Sequence, residues 1–105
     1  MFKLIPMINP DGVYHGHYRM DVFNQNLNRY YNDPDIEKQP AIYAIIEILK
    51  HINTHRKLFF YCDLHAHGGR KGCFLYGNAF SDFLEQVESQ LYAKVLQLND
   101  MNFEY

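Results

Sequence analysis

Three short stretches of this chain carry side chains able to hold an ion or a reacting group. Asp63-Leu64-His65-Ala66-His67 alternates a carboxylate with two imidazoles. In an extended strand, residues two apart face the same way, so the three could meet one metal ion or one water. A His-x-His at a strand end is equally met as a solvated or hydrogen-bonded pair, and a catalytic zinc takes about three protein ligands. Arg19 and the adjacent Asn28-Arg29 offer anion chemistry. The planar guanidinium matches a carboxylate or phosphate with two parallel hydrogen bonds, and an amide beside it adds a donor. The same arginines would also serve as surface charges paired with Asp11, Asp21 or Asp33.

The elements that must position these groups follow from the apolar pattern. Lys3 to Ile8 is a nearly continuous apolar run closed by Asn9-Pro10-Asp11-Gly12, which predicts a strand and a turn. Residues 9–35 are polar, aromatic and aperiodic, a long loop of the kind that carries function. From Pro40, the residues Ile42, Ile45, Ile46, Leu49 and Ile52 recur at helical spacing, which predicts a helix over 40–54. Residues 57–67, with Leu58-Phe59-Phe60-Tyr61-Cys62, read as a strand covered on both faces, bringing His65 to its end. Cys73 to Tyr76 is a shorter candidate strand. Asp82 and Glu85 form a candidate capping box ahead of Leu84, Val87, Leu91, Val95 and Leu98, a helix over 82–98. Strands on either side of a helix predict an α/β fold, part of a mixed, mainly parallel sheet with helices on its faces. Three strands and two helices are thin for such a sheet, so residues 1–105 read as one partial, incomplete domain.

Composition narrows the function classes. The 105 residues are nearly half apolar, with a net charge of -2 and interspersed signs. That balance lacks the basic stripe that tracks a phosphate backbone, so nucleic acid is not the expected partner. No apolar stretch approaches the roughly 20 residues of a membrane span. The start lacks the small-residue cleavage site of a signal peptide. Cys62 and Cys73 are too few for a disulfide framework and read as free thiols of a reducing compartment.

The order of motifs adds a resemblance. Ile5-Pro6-Met7-Ile8-Asn9-Pro10-Asp11-Gly12-Val13, Gly16-His17-Tyr18-Arg19 and Leu27-Asn28-Arg29 come first. Phe60-Tyr61-Cys62-Asp63-Leu64-His65-Ala66-His67 and Phe74-Leu75-Tyr76-Gly77 follow. Together they resemble the zinc carboxypeptidases, and within them the cytosolic branch, whose members remove glutamates from tubulin and other proteins. The resemblance spans residues 5 to 77. It implies a Zn2+ cofactor with His65 as one ligand, the third in the family's order. It further implies that Asn28 and Arg29 hold the substrate's C-terminal carboxylate and that Arg19 polarises the scissile carbonyl. Substrates would be glutamate-rich polypeptide C-termini such as those of tubulin, in the cytoplasm. His67 belongs to the pattern as a neighbour of the ligand.

Two departures leave those roles intact: Asn26 stands where the family usually has aspartate, and Ala66 where it usually has glycine. Two absences do not. No His-x-x-Glu precedes Ile5, and no catalytic-base glutamate is evident, since Glu85, Glu88 and Glu104 follow His65 too soon. The chain alone is therefore expected to be inactive, as a fragment in preference to a truncated inactive paralogue. The alternative function is a binding module that recognises acidic C-terminal tails without cleaving them.

Overall fold

The computed structural model describes residues 2–105; Met1, the first residue of the expected domain, lies outside them. The chain divides into two compact units, Met1–Cys62 and Asp63–Tyr105.

In the first unit, Asn9-Pro10-Asp11-Gly12 starts a helix instead of making a turn. The Asn9 side-chain oxygen accepts the Gly12 N–H at 3.0 Å, Pro10 supplies a preset φ at the first helical position, and α1 runs Pro10–His15. Gly16 ends it at φ 70, a left-handed residue whose N–H bonds to Val13 O at 3.1 Å. Leu27–Arg29 forms one 3-10 turn. The expected loop over 9–35 thus contains two short helical pieces. The main helix of this unit, α2, spans Pro40–His55 and buries Ile42 and Ile45, at 1% and 4% exposure. These two side chains are the apolar core of the unit.

The second unit holds α3, Phe83–Asn99. Asp82 caps it, its side-chain oxygen accepting the N–H groups of Leu84 at 2.9 Å and Glu85 at 3.0 Å. The last residues then pair with Cys73, whose N–H bonds to Asn102 O at 3.0 Å while Glu104 N–H bonds to Cys73 O at 2.7 Å. Phe103 between them is buried. The apolar stripe of α3, with Leu84, Leu91 and Leu98, is exposed.

The expected mixed parallel sheet is not present. Among the described residues the only ladder contact is the isolated parallel bridge Cys73–Phe103, and the regular elements are helices. The runs 3–8 and 57–64 have no strand pairing; Phe59 and Leu64 are each 94% exposed. The physical reason is that a helix closes its hydrogen bonds within its own segment, whereas a strand exists only through a neighbour's ladder. Apolar composition suited these runs to strands but brought them no ladder partner within the described residues.

Candidate functional site

Arg19, Asn28 and Arg29 all lie in the first unit, on a segment held by polar contacts. Asn9 works twice: beyond capping α1, its Nδ2 donates to Met20 O at 3.0 Å. Gly12 is buried in the angle between them, where a Cβ would overlap the Asn9 amide and the Met20 carbonyl. Glycine is required there by close approach. Asp21 is 7% exposed, and its Oδ1 accepts the N–H groups of Phe23 at 2.9 Å and Gln25 at 2.7 Å. Charge-assisted bonds of this kind offset the cost of burying the carboxylate. The Asp21 carbonyl also accepts from His17 Nδ1 at 3.2 Å. His17, Tyr18, Met20, Asp21, Val22 and Asn24 line a shallow concavity of about 330 Å³.

Arg19 has φ 52, and Met20 N–H bonds to Tyr18 O across it at 2.8 Å. A bond from residue i to i+2 around a positive φ is the rare, strained sense of γ-turn. Arginine carries a Cβ, so this conformation costs energy that the anchors at Asn9–Met20 and Asp21 must offset. The guanidinium lies 5.5 Å from the Tyr18 ring centroid, a cation–π contact that aligns the side chain beside the concavity's rim residue.

Asn28 and Arg29 are exposed and consecutive on the 3-10 turn. Asn26 caps that turn, its Oδ1 accepting from Asn28 N at 3.3 Å. An aspartate at this position would offer the same acceptor oxygen. Arg29 Nη1 reaches Asn28 O at 3.4 Å, a long bond that an anion could readily replace. Among the described residues neither Arg19 nor Arg29 pairs with Asp11, Asp21 or Asp33; the ion pairs are Lys50–Glu47 and Arg70–Glu104.

Sequence reasoning missed one contact in this unit. Gln39, 3% exposed, precedes α2 and donates through Nε2 to Gln25 Oε1 at 2.5 Å, while its Oε1 accepts Asp35 N–H at 3.0 Å. Both polar ends of a buried amide are thereby satisfied. Asp35 accepts in turn from Glu37 N–H at 2.8 Å and Lys38 N–H at 2.9 Å. Those backbone bonds, Lys38 first, hold its carboxyl below the ordinary 3.8. The available signals were Asp21 and Asp35 ahead of turn residues, as side-chain acceptors that organise loops. The Gln25–Gln39 partnership had none.

His65 lies in the second unit. Its Nδ1 is 2.6 Å from Ala66 O. A carbonyl only accepts, so Nδ1 carries the proton and the neutral ring's lone pair is on Nε2. Ligation through Nε2 suits this arrangement; ligation through Nδ1 would require the Ala66 bond to be given up. His67 has the opposite tautomer when neutral, since its Nδ1 accepts Gly69 N–H at 3.1 Å. Its ring sits edge-on to Phe74 at 5.4 Å, and Phe74 is edge-on to Tyr76 at 5.5 Å. Arg70 stacks 4.3 Å from the Phe74 centroid and lies 3.6 Å from Glu104 Oε2. Asp63, His65 and His67 do not gather: among the described residues no set of three or more His, Cys, Asp or Glu is placed to hold a metal. Cys62 and Cys73 are free and exposed.

No protein-family model matches the chain. Curated relatives do match. Mouse cytosolic carboxypeptidase 6 is 37% identical over 107 residues, covering 100% of this chain and 20% of that protein. Cytosolic carboxypeptidase 6 of Caenorhabditis elegans is 41% identical over 87 residues, 81% of this chain and 19% of that protein. Human cytosolic carboxypeptidase-like protein 5 is 28% identical over 190 aligned positions, so that relative carries extra residues inside the matched region. The chain spans about a fifth of the length of the curated relatives it matches. Over that span it belongs to the cytosolic carboxypeptidase family.

Proposed function

We propose that this chain carries the carboxylate clamp and one metal-binding histidine of a zinc-dependent carboxypeptidase. The enzyme would release C-terminal residues, glutamates above all, from cytoplasmic proteins such as tubulin. The observation that supports this most is the placing of Asn28 and Arg29 side by side on one exposed, capped turn, with Arg19 on a strained turn of the same unit.

In this reading the Arg29 guanidinium and the Asn28 amide take the two oxygens of a terminal carboxylate, which separates a chain end from an internal peptide bond. Arg19 directs positive charge at the scissile carbonyl oxygen, whose negative charge grows as the tetrahedral adduct forms. A cation already held in place stabilises that charge without reorganising during the reaction. A zinc ion bound with His65 as one of its ligands would supply Lewis acidity to polarise the carbonyl and activate the attacking water. His65 fits one ligand position through its Nε2 lone pair, but the described residues do not make up a complete zinc set.

Two measurements test the reading. Titration of the chain with a glutamate-ended peptide and with its C-terminally amidated twin should show binding only of the free carboxylate, lost in Arg29→Ala. Equal affinity for the two peptides would rule out the clamp. Mouse cytosolic carboxypeptidase 6 with its matched fifth replaced by this sequence should bind zinc and trim glutamate tails, and His65→Ala in that chimera should lose both. Full activity with His65→Ala would remove the ligand assignment. Carboxylate binding by the chain, with no cleavage by the chimera, would favour the binding-module alternative.

A further inference from the structure

Apart from the clamp and His65, α2 closes on a pair of histidines that the proposed activity does not use. His51 and His55 are four residues apart, so they share one face of the helix on adjacent turns. Both are exposed. Their ring centroids are 4.3 Å apart with planes inclined at 36°. His55 Nδ1 lies 2.9 Å from His51 O, and because the carbonyl can only accept, Nδ1–H donates and the lone pair of the neutral ring is on Nε2. A ligating imidazole whose other N–H is held by a backbone carbonyl has its tautomer and ring direction fixed in advance.

Two nitrogens on one metal at bonds of about 2.0 Å and a tetrahedral angle stand about 3.3 Å apart. The His51 and His55 ring centroids are 4.3 Å apart, so the two imidazoles lie side by side, and rotation about their side-chain torsions can bring one nitrogen of each to that separation. His55 also lies in the last turn of α2, where the helix dipole favours a cation. Opposing this are Arg56 and Lys57 just beyond it, and Lys50, whose Nζ is held by Glu47 at 2.8 Å. They limit the affinity without blocking the face.

We infer that His51 and His55 form a two-imidazole site for a divalent transition ion of the nickel or zinc class, with water completing the coordination. Carboxylate and carbonyl ions such as magnesium and calcium are excluded by the nitrogen donors. The site draws on neither His65 nor His67.

The test is calorimetric titration of the full chain with Ni2+ near neutral pH in a non-thiol reductant. One saturable site is expected, weakened at least about tenfold by either His51→Ala or His55→Ala and unchanged by the His65→Ala/His67→Ala double variant. Ni2+ should also raise the melting temperature of the parent chain, because the donors are in register only in the folded helix. A spacing control, Asn53→His with His55→Ala, keeps the histidine count but puts the rings on different faces, and it should remain weak. Binding at parental strength in the single alanine variants or in the spacing control would overturn the inference. So would the absence of saturable binding below millimolar Ni2+.

Discussion

The side-chain amide of Gln39 donates to the side-chain oxygen of Gln25 at 2.5 Å, joining the residue before α2 to the segment that leads into the Asn28-Arg29 turn. Gln39 is buried, and its own oxygen is taken by Asp35 N–H. Gln39→Leu would remove the hydrogen-bond partner of half-buried Gln25 and of the Asp35 N–H, at about 1 kcal/mol per lost bond. Chemical denaturation should show a loss of that order. The same variant should bind a carboxylate-ended peptide more weakly although it touches no ligand; unchanged stability and affinity would sink this account of the clamp.

Arg19 supplies the second prediction, because its backbone and its side chain pull in different directions. Replacing it by glycine removes both the guanidinium and the cost of a Cβ at φ 52, whereas alanine removes only the guanidinium. Arg19→Gly should therefore be more stable than Arg19→Ala by about 1 kcal/mol, with both equally defective in function. Denaturation midpoints of the two variants decide it, and identical stabilities would show that the turn is unstrained.

A pH effect should appear at Asp35. Its carboxyl is held below the ordinary value by bonds from the Lys38 and Glu37 N–H groups. A depressed folded-state value means that its contribution is full above the unfolded pKa of 3.8 and is lost as pH falls through the lower folded value. The amide resonances of Glu37 and Lys38 should hold steady down to about pH 4 and shift together below it. Asp35→Asn should abolish that titration; its persistence would assign the shift to another group.

At α3 the cap can be tested by itself. Asp82 accepts two of the first-turn N–H groups, so Asp82→Ala should cost about 1 kcal/mol and fray the helix start, while Asp82→Ser should recover most of the loss. Circular dichroism with thermal melting reads both, and a helix indifferent to Asp82→Ala would show that the cap contributes nothing.

What the sequence alone determined here is what short stretches decide for themselves. Helical spacing from Pro40 and from Asp82 places α2 and α3, because a helix satisfies its backbone within the segment that carries the pattern. The adjacency of Asn28 and Arg29, and the order of motifs around them, are properties of the chain and survive any packing. Asn9-Pro10-Asp11-Gly12 held a helix-start signal of cap, proline and acidic first turn, legible once the oxygen of Asn9 is read as an acceptor for Gly12. Tertiary structure decided the rest. The runs 3–8 and 57–64 have strand composition, but pairing depends on a partner elsewhere, and none of the described residues provides one. Asp21 could have answered Arg19 or Arg29 and is instead buried on backbone N–H groups, and Arg70 pairs with Glu104 across 34 positions of chain. Gln25 meets Gln39 across a further loop. Each depends on which distant groups the fold brings within about 3–4 Å, and local propensity carries no record of that distance.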